Sequence, residues 1–229
     1  MNECFLPTSN YRELQELINE LMGPALGVEM AAVTGRAGRG KTTAAQRIYA
    51  ETNRAVYVLY QEAWTINDLF REIAFSLSGI RPFRRQQAME LIQSELGRER
   101  RAIMIDEADR APVKVLNALR NIHDITKSPI VLIGEDELSR KLSAERRISS
   151  RIRNAIPFKP LSVQDLTLFY RLSLGITLPA SKADKLAAAS AGDFRNVLTD
   201  ALTIERLMKV NSAGEVTDEI VEKAIGRKK

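Results

Sequence analysis

The chain has 229 residues, of which 45% are hydrophobic and 28% charged, with a formal net charge of +5. That is the balance of a globular protein with room for one large or two modest domains. Cys4 and His123 are the only residues of their kinds, which excludes an intramolecular disulfide, a cysteine-rich zinc site and a multi-histidine metal cluster. His123 is therefore expected on a helix surface. No apolar run approaches the ~20 residues of a membrane span. The opening residues, Met1 to Pro7, lack a basic region followed by an apolar core, so no secretory signal or membrane is expected and the cytoplasm is the expected location. The positive charge suits a partner that carries phosphates.

Asn10 with Glu13 reads as a capping box opening a helix, and Leu14, Leu17, Ile18 and Leu21 repeat at helical spacing until Gly23-Pro24. This segment, 1–26, is expected to pack as one amphipathic helix on the core. Residues 28–34 read as a buried strand. Gly35-Arg36-Ala37-Gly38-Arg39-Gly40-Lys41-Thr42 follows, matching the nucleotide-binding loop G-x-x-x-x-G-K-[ST] at every fixed position. Gly35, Gly38 and Gly40 let successive backbone N–H groups turn inward on phosphate oxygens, at the positive end of a helix dipole. Lys41 supplies a point charge to the β- and γ-phosphates, the Thr42 hydroxyl a ligand for Mg²⁺, and Thr43 continues the first helical turn.

A helix over 42–51 and a strand over 55–60 come next. Thr65 caps a helix carrying Leu69, Phe70, Ile73 and Leu77 to Gly79, with Trp64 in the loop before it as a packing or adenine-side residue. Arg81, Arg84 and Arg85 lie in a basic turn, and a further helix ends at Gly97. The apolar run 101–105 then delivers Asp106 and Glu107 at its end. In phosphate-loop enzymes the first such acid organises the magnesium shell and the second polarises the attacking water. A helix over 111–126 and a strand over 130–134 complete an alternation that argues for a parallel α/β sheet with its ligand at the strand C-terminal edge. After the cluster Arg146 to Arg153 and a short strand over 155–158, helices over 163–174, 181–191, 193–210 and 217–225 follow without strands. The expected division is an α/β nucleotide-binding domain over 27–160 and a small all-α domain over 161–229, ending in a solvated basic tail, Arg227-Lys228-Lys229.

In that order the motifs resemble those of the AAA+ ATPases. The wording of Gly35–Thr43 and Arg101–Asp109, the compact size and the run Ser149-Ser150-Arg151-Ile152 to Pro157-Phe158-Lys159-Pro160-Leu161 resemble, more narrowly, transposition regulators of the phage Mu B protein and TnsC/TniB kind. The resemblance covers nearly the whole chain. It implies ATP and Mg²⁺ as ligands, Lys41, Thr42 and Asp106 holding phosphate and metal, and Glu107 as the water-activating base. It also implies Arg151 as a finger reaching the γ-phosphate of a neighbouring subunit, with Arg147 as the alternative, and Arg195 as a lid arginine sensing that phosphate. Double-stranded DNA, further copies of the chain in a ring or filament, and a transposase are the implied partners. Arg81, Arg84, Arg85 and Lys114, with Arg120, are the candidate DNA contacts. Two features depart from the family pattern. Glu135 follows Gly134 where a polar residue usually orients the lytic water, and Arg36 and Arg39 stand inside the phosphate loop, where solvent-facing positions are expected. An AAA+ ATPase of another trade, or a nucleotide-dependent scaffold with slow turnover, are the alternatives.

Overall fold

The structure is a computed structural model that describes residues 5–24 and 29–226. Cys4, Val28 and the Arg227–Lys229 tail lie outside the described residues. The chain forms two compact units: an α/β unit of residues 10–36 and 41–158, and a helical unit of residues 159 onward together with the short segments 5–9 and 37–40.

The α/β unit is built on five short strands, β1 (Met30–Thr34), β2 (Ala55–Leu59), β3 (Ala102–Asp106), β4 (Ile130–Gly134) and β5 (Ile152–Pro157), in the order β2-β3-β4-β1-β5. Every pairing is parallel. Three of the strands, β1, β3 and β4, are buried at each residue, as continuous apolar runs inside a helix-covered parallel sheet must be. At the edge, β5 alternates between half-buried and exposed residues. It begins at Ile152, ahead of the expected Ala155, because its pairing with β1 starts at Met30↔Ile152 and absorbs a register shift there.

Helices connect the strands: α1 (Ser9–Leu21), α2 (Lys41–Glu51), α3 (Ile66–Ser78), α4 (Arg85–Arg98), α5 (Val113–Thr126), α6 (Asp136–Ala144) and α7 (Arg146–Ser149). The capping box read at Asn10 is corrected by the structure, since α1 starts at Ser9 and Asn10 lies inside the helix, buried. Tyr11 donates to the Glu51 carboxylate at 2.5 Å, fastening α1 to α2. At the end of α1 the Arg100 guanidinium reaches the carbonyls of Gly23 (2.9 Å) and Leu21 (3.1 Å) and the buried Glu29 carboxylate. Thr65 caps α3 in a full capping box with Asp68, and Gly79 closes it in the left-handed region. Gly97 lies within α4, which runs to Arg98. A 3-10 turn, Ala108–Arg110, precedes α5, so the helix starts at Val113 rather than Ala111. His123 is fully buried, not on a helix surface. Its Nδ1 lies 2.9 Å from the Ser128 carbonyl, a partner beyond the helix end that only the fold supplies.

The helical unit holds α8 (Val163–Leu174), α9 (Ala180–Ser190), α10 (Phe194–Val210) and α11 (Asp218–Ile225). Ser162, Asp193 and Thr217 cap α8, α10 and α11 through their side chains. Leu166, Phe169, Tyr170, Leu186, Val197 and Ile204 form its core, joined by Leu6. Among the described residues no helix is long and apolar enough to cross a membrane.

Candidate nucleotide site

Between β1 and α2 the backbone reverses through Gly38 (φ 76°) and Gly40 (φ 83°), left-handed conformations that L side chains seldom adopt. A Cβ on Gly40 would meet nothing within 4 Å, so the angle alone demands glycine there. At Gly38 space is also short, since a Cβ would stand 2.1 Å from Asp193 Oδ1. Within the helical unit the turn before α10 grips this part of the loop. The Phe194 N–H donates to the Gly38 carbonyl (2.9 Å), and Arg39 Nη1 donates to the Ala191 carbonyl (2.8 Å). Arg39 is thus engaged within the chain rather than simply facing solvent, while Arg36 is exposed.

Lys41 is the first residue of α2, and its Nζ donates to the carbonyls of Gly35 (2.5 Å) and Arg36 (3.1 Å). Burial pulls the Lys41 pKa below the ordinary lysine value; the carboxylates of Glu135, Asp106, Asp109 and Glu107 oppose that shift. The charge of four acids is therefore felt at this ammonium group. Thr42 and Thr43 stand exposed on the same helical turn.

Asp106 ends β3 only 1% exposed. Its Oδ2 accepts from the Tyr57 hydroxyl (2.8 Å) and its Oδ1 from the Glu107 N–H (2.9 Å). Burial, then the Asp106 charge and hydrogen bond, push the Tyr57 pKa well above the ordinary phenol value, so Tyr57 holds its proton for Asp106. Glu107 adopts φ 57°, ψ 31° and pairs with Arg110 at 2.9 Å. A non-glycine residue in that region costs about 1–3 kcal/mol and tends to mark functional positions.

β4 lies between β3 and β1, so the strand ends bearing the acids and the phosphate loop flank Gly134 and Glu135. Asp109 fills the space beside Gly134, where a Cβ would be 2.4 Å from its Oδ1, and that oxygen accepts the Glu135 N–H at 3.0 Å. Glu135 stands just before α6 with an exposed side chain, yet heads the charges acting on Lys41.

These residues fit a nucleotide with its magnesium ion. A buried carboxylate demands a cation, and Asp106 has no Lys or Arg ion pair among the described residues. No cluster of three or more acid, histidine or cysteine side chains is arranged to hold a metal among them. Magnesium with a nucleotide takes one or two protein oxygens and completes its shell with phosphate and water.

The other expected residues have surroundings of their own. Arg151 directly precedes β5 and donates through Nε to Asp124 at 2.9 Å. Arg147, on α7, is exposed and forms no ion pair among the described residues. Arg195 is exposed on the first turn of α10, in the helical unit. Arg81 pairs with Glu72 at 2.7 Å, Arg120 reaches toward Asp124 at 3.7 Å, and Arg84, Arg85 and Lys114 are exposed. Trp64 packs at the edge of the α/β core, edge-on to Tyr60 with ring centroids 6.1 Å apart. Tyr57 and Asp109 escaped the sequence reading. The one signal for Tyr57 is a hydroxyl inside an otherwise apolar strand, Ala-Val-Tyr-Val-Leu.

A parallel sheet with a phosphate loop after β1 and an acid pair at the end of β3 defines a phosphate-loop nucleotide-binding fold. The family model for the AAA domain matches residues 27–142, and the chain belongs to that family of ATPases. It is 30% identical over 131 residues to a potential ATP-binding protein of Staphylococcus aureus, covering 53% of this chain and 48% of that one. It is 29% identical over 126 residues to the ATP-dependent target DNA activator B of Escherichia phage Mu, covering 54% and 40%. The chain thus spans less than half the length of these curated relatives. Cdc6p of Pyrobaculum aerophilum shares the fold, at 17% identity and a TM-score of 0.70 over 97% of this chain and 69% of that one.

Proposed function

We propose that the protein is an ATP-driven DNA-binding switch that assembles on duplex DNA and marks it for a transposase. The observation that carries the nucleotide half is the phosphate loop placed one strand away from a buried, cation-hungry Asp106. The DNA half is supported by the similarity to a target DNA activator and by the exposed cations Arg84, Arg85 and Lys114. On this reading its place of work is the cytoplasm, where it would meet DNA.

The roles follow from position. Backbone N–H groups of the loop and the α2 N-terminus hold the phosphates, and Lys41 exchanges its two carbonyl partners for phosphate oxygens. Thr42 and Asp106 hold Mg²⁺, which when bound neutralises charge on the β- and γ-oxygens. Glu107, its backbone already turned out of the strand, takes the proton from the attacking water. Arg151 serves the site of a neighbouring copy, and Arg195 senses the γ-phosphate. Hydrolysis then loosens the assembly and releases DNA, as in other nucleotide switches. DNA contacts of this kind run through phosphates and are largely indifferent to sequence.

Retention of a labelled duplex by the wild-type protein tests the switch. It should be strong with ATP and weak with ADP or without nucleotide, and equal retention in all three states rejects it. Glu107→Gln should lower turnover by about a hundredfold or more while ATP-dependent retention persists. A second reading, a slow scaffold that recruits protein and ignores DNA, is favoured by Glu135, whose charge acts on Lys41 where a phosphate must bind. Duplex DNA should accelerate ATP turnover under the first reading and leave it unchanged under the second.

A further inference from the structure

Phe83 is 81% exposed, more than any other large apolar residue among the described ones, and Ile80 beside it is 60% exposed. Both stand on the connection between α3 and α4, far from a floppy loop in construction. The Gly79 N–H closes α3 on the Phe75 carbonyl (2.7 Å), and the Ile80 N–H donates to Ser78 Oγ (3.1 Å). Arg71 Nε holds the Pro82 carbonyl (2.8 Å), and the Arg84 N–H donates to Gln87 Oε1 (3.2 Å) as α4 begins. With Pro82 fixing one more φ, the backbone on both sides of Phe83 is anchored and the ring is held outward.

The connection itself carries only positive charge, and the acids that reach it, Glu72 and Asp68, are paired with Arg81 and Arg71. Gly79 to Gln87 contains Arg81, Arg84 and Arg85 and no acid. Arg81 is spent internally, 4.5 Å over the Phe75 ring and paired with Glu72. Arg85 lies 5.1 Å over the Phe70 ring, and Arg84 is exposed without an ion pair among the described residues. The first turn of the 14-residue α4 opens here and adds the positive end of its dipole. An exposed phenyl ring gives the fold little burial energy, yet it sits on a basic tip whose backbone is hydrogen-bonded on both sides. Duplex DNA offers the matching sequence of groups: a phosphate, a stacked ring step, a phosphate.

Resting on the DNA-binding reading above, we propose that Phe83 wedges between base pairs of the bound duplex. Arg84, Arg85 and the α4 N-terminus hold the phosphates on either side. The wedge partly unstacks one step, so the protein prefers easily opened pyrimidine–purine steps without reading bases directly.

The test uses the full chain with ATP and a duplex carrying 2-aminopurine, whose fluorescence rises when it is unstacked. Wild type should raise the fluorescence on binding. Phe83→Ala should abolish the rise and bind about tenfold more weakly, with the same salt dependence and an unchanged melting temperature. Phe83→Trp should restore both, and Arg84→Ala should instead reduce the salt slope by about one. A Phe83→Ala protein that binds as tightly and still unstacks the probe overturns the insertion while leaving DNA binding intact. So does a Phe83→Ala protein that loses only capture of an acidic protein partner. A wild-type protein that retains no duplex in any nucleotide state overturns the DNA reading itself.

Discussion

Tyr57 and the Glu107 N–H fix the Asp106 carboxylate from two sides, one on each oxygen. Tyr57→Phe removes one of them with little change in volume. A hydrogen bond to a charged group contributes about 1.5–3 kcal/mol. The variant should therefore need roughly tenfold more Mg²⁺ for half-maximal nucleotide binding, while binding measured in a chelator stays as in wild type. Equal Mg²⁺ titrations would show that Asp106 is placed by its strand alone. Gly134 poses the opposite problem, because Asp109 occupies the place of a side chain. Gly134→Ser, which restores the usual polar residue, should lower stability by about 1–3 kcal/mol through overpacking, read as a drop in melting temperature. A melt equal to wild type would mean that Asp109 swings aside at no cost. Neither Tyr57 nor Asp109 could be found from spacing, since each acts on a residue 49 or 26 positions away. The loop and acid pair could, because each is a contiguous stretch whose chemistry is local.

Elements were legible where a pattern is long or a cap explicit. The four apolar runs β1 to β4 and the capped helices α3, α8 and α11 stand where their sequences place them. α6 and α7 did not announce themselves, because α6 buries only Leu138 and Leu142 and α7 only Ile148, too few positions to set a period. The start of β5 was hidden by Arg151 and Arg153, which an edge strand tolerates and a central one does not. Sheet order has no signature in one sequence. The join between α1 and α2 is tertiary too, and it yields a pH dependence. Burial first, then the hydrogen bond and charge of Glu51, push the Tyr11 pKa from its ordinary value of 10.0 up to about 12. The folded chain keeps a proton that the unfolded chain releases above about pH 10. This contribution is whole below about pH 10 and is lost as pH rises toward about 12. Denaturant melts across that range should show wild type losing stability more steeply than Tyr11→Phe. Part of the slope should remain in the variant, because burial also raises Tyr57 and Tyr170. Parallel curves for the two proteins would remove Tyr11 as the anchor of α1.

At the scale of the whole molecule, the sheet itself separates Arg151 from the phosphate loop of its own chain. The Arg151 carbonyl accepts the N–H of Met30, the first residue of β1. The loop follows Thr34, the last residue of that strand, on the order of 13 Å further along at about 3.3 Å per residue. An arginine at the N-terminal edge of the sheet is badly placed for its own site, which is what the proposed role in a neighbouring copy's site requires. To take that role it must leave Asp124. Burial raises the pKa of that carboxyl, but the hydrogen bond and charge of Arg151, with the charge of Arg120, more than offset it and hold the pKa below the usual aspartate value. Asp124 is thus an ionised tether, and its removal should release the finger. On the proposed reading, in which a second copy completes the site, ATP turnover per subunit should rise with protein concentration. Arg151→Ala should flatten that rise and lower saturated turnover by about a thousandfold, leaving ATP binding intact. Asp124→Asn should shift the rise to lower concentration, and Asp124→Asn with Arg151→Ala should behave as Arg151→Ala alone. If Arg147→Ala flattens the curve and Arg151→Ala does not, the finger is Arg147, whose exposed guanidinium has no tether to break.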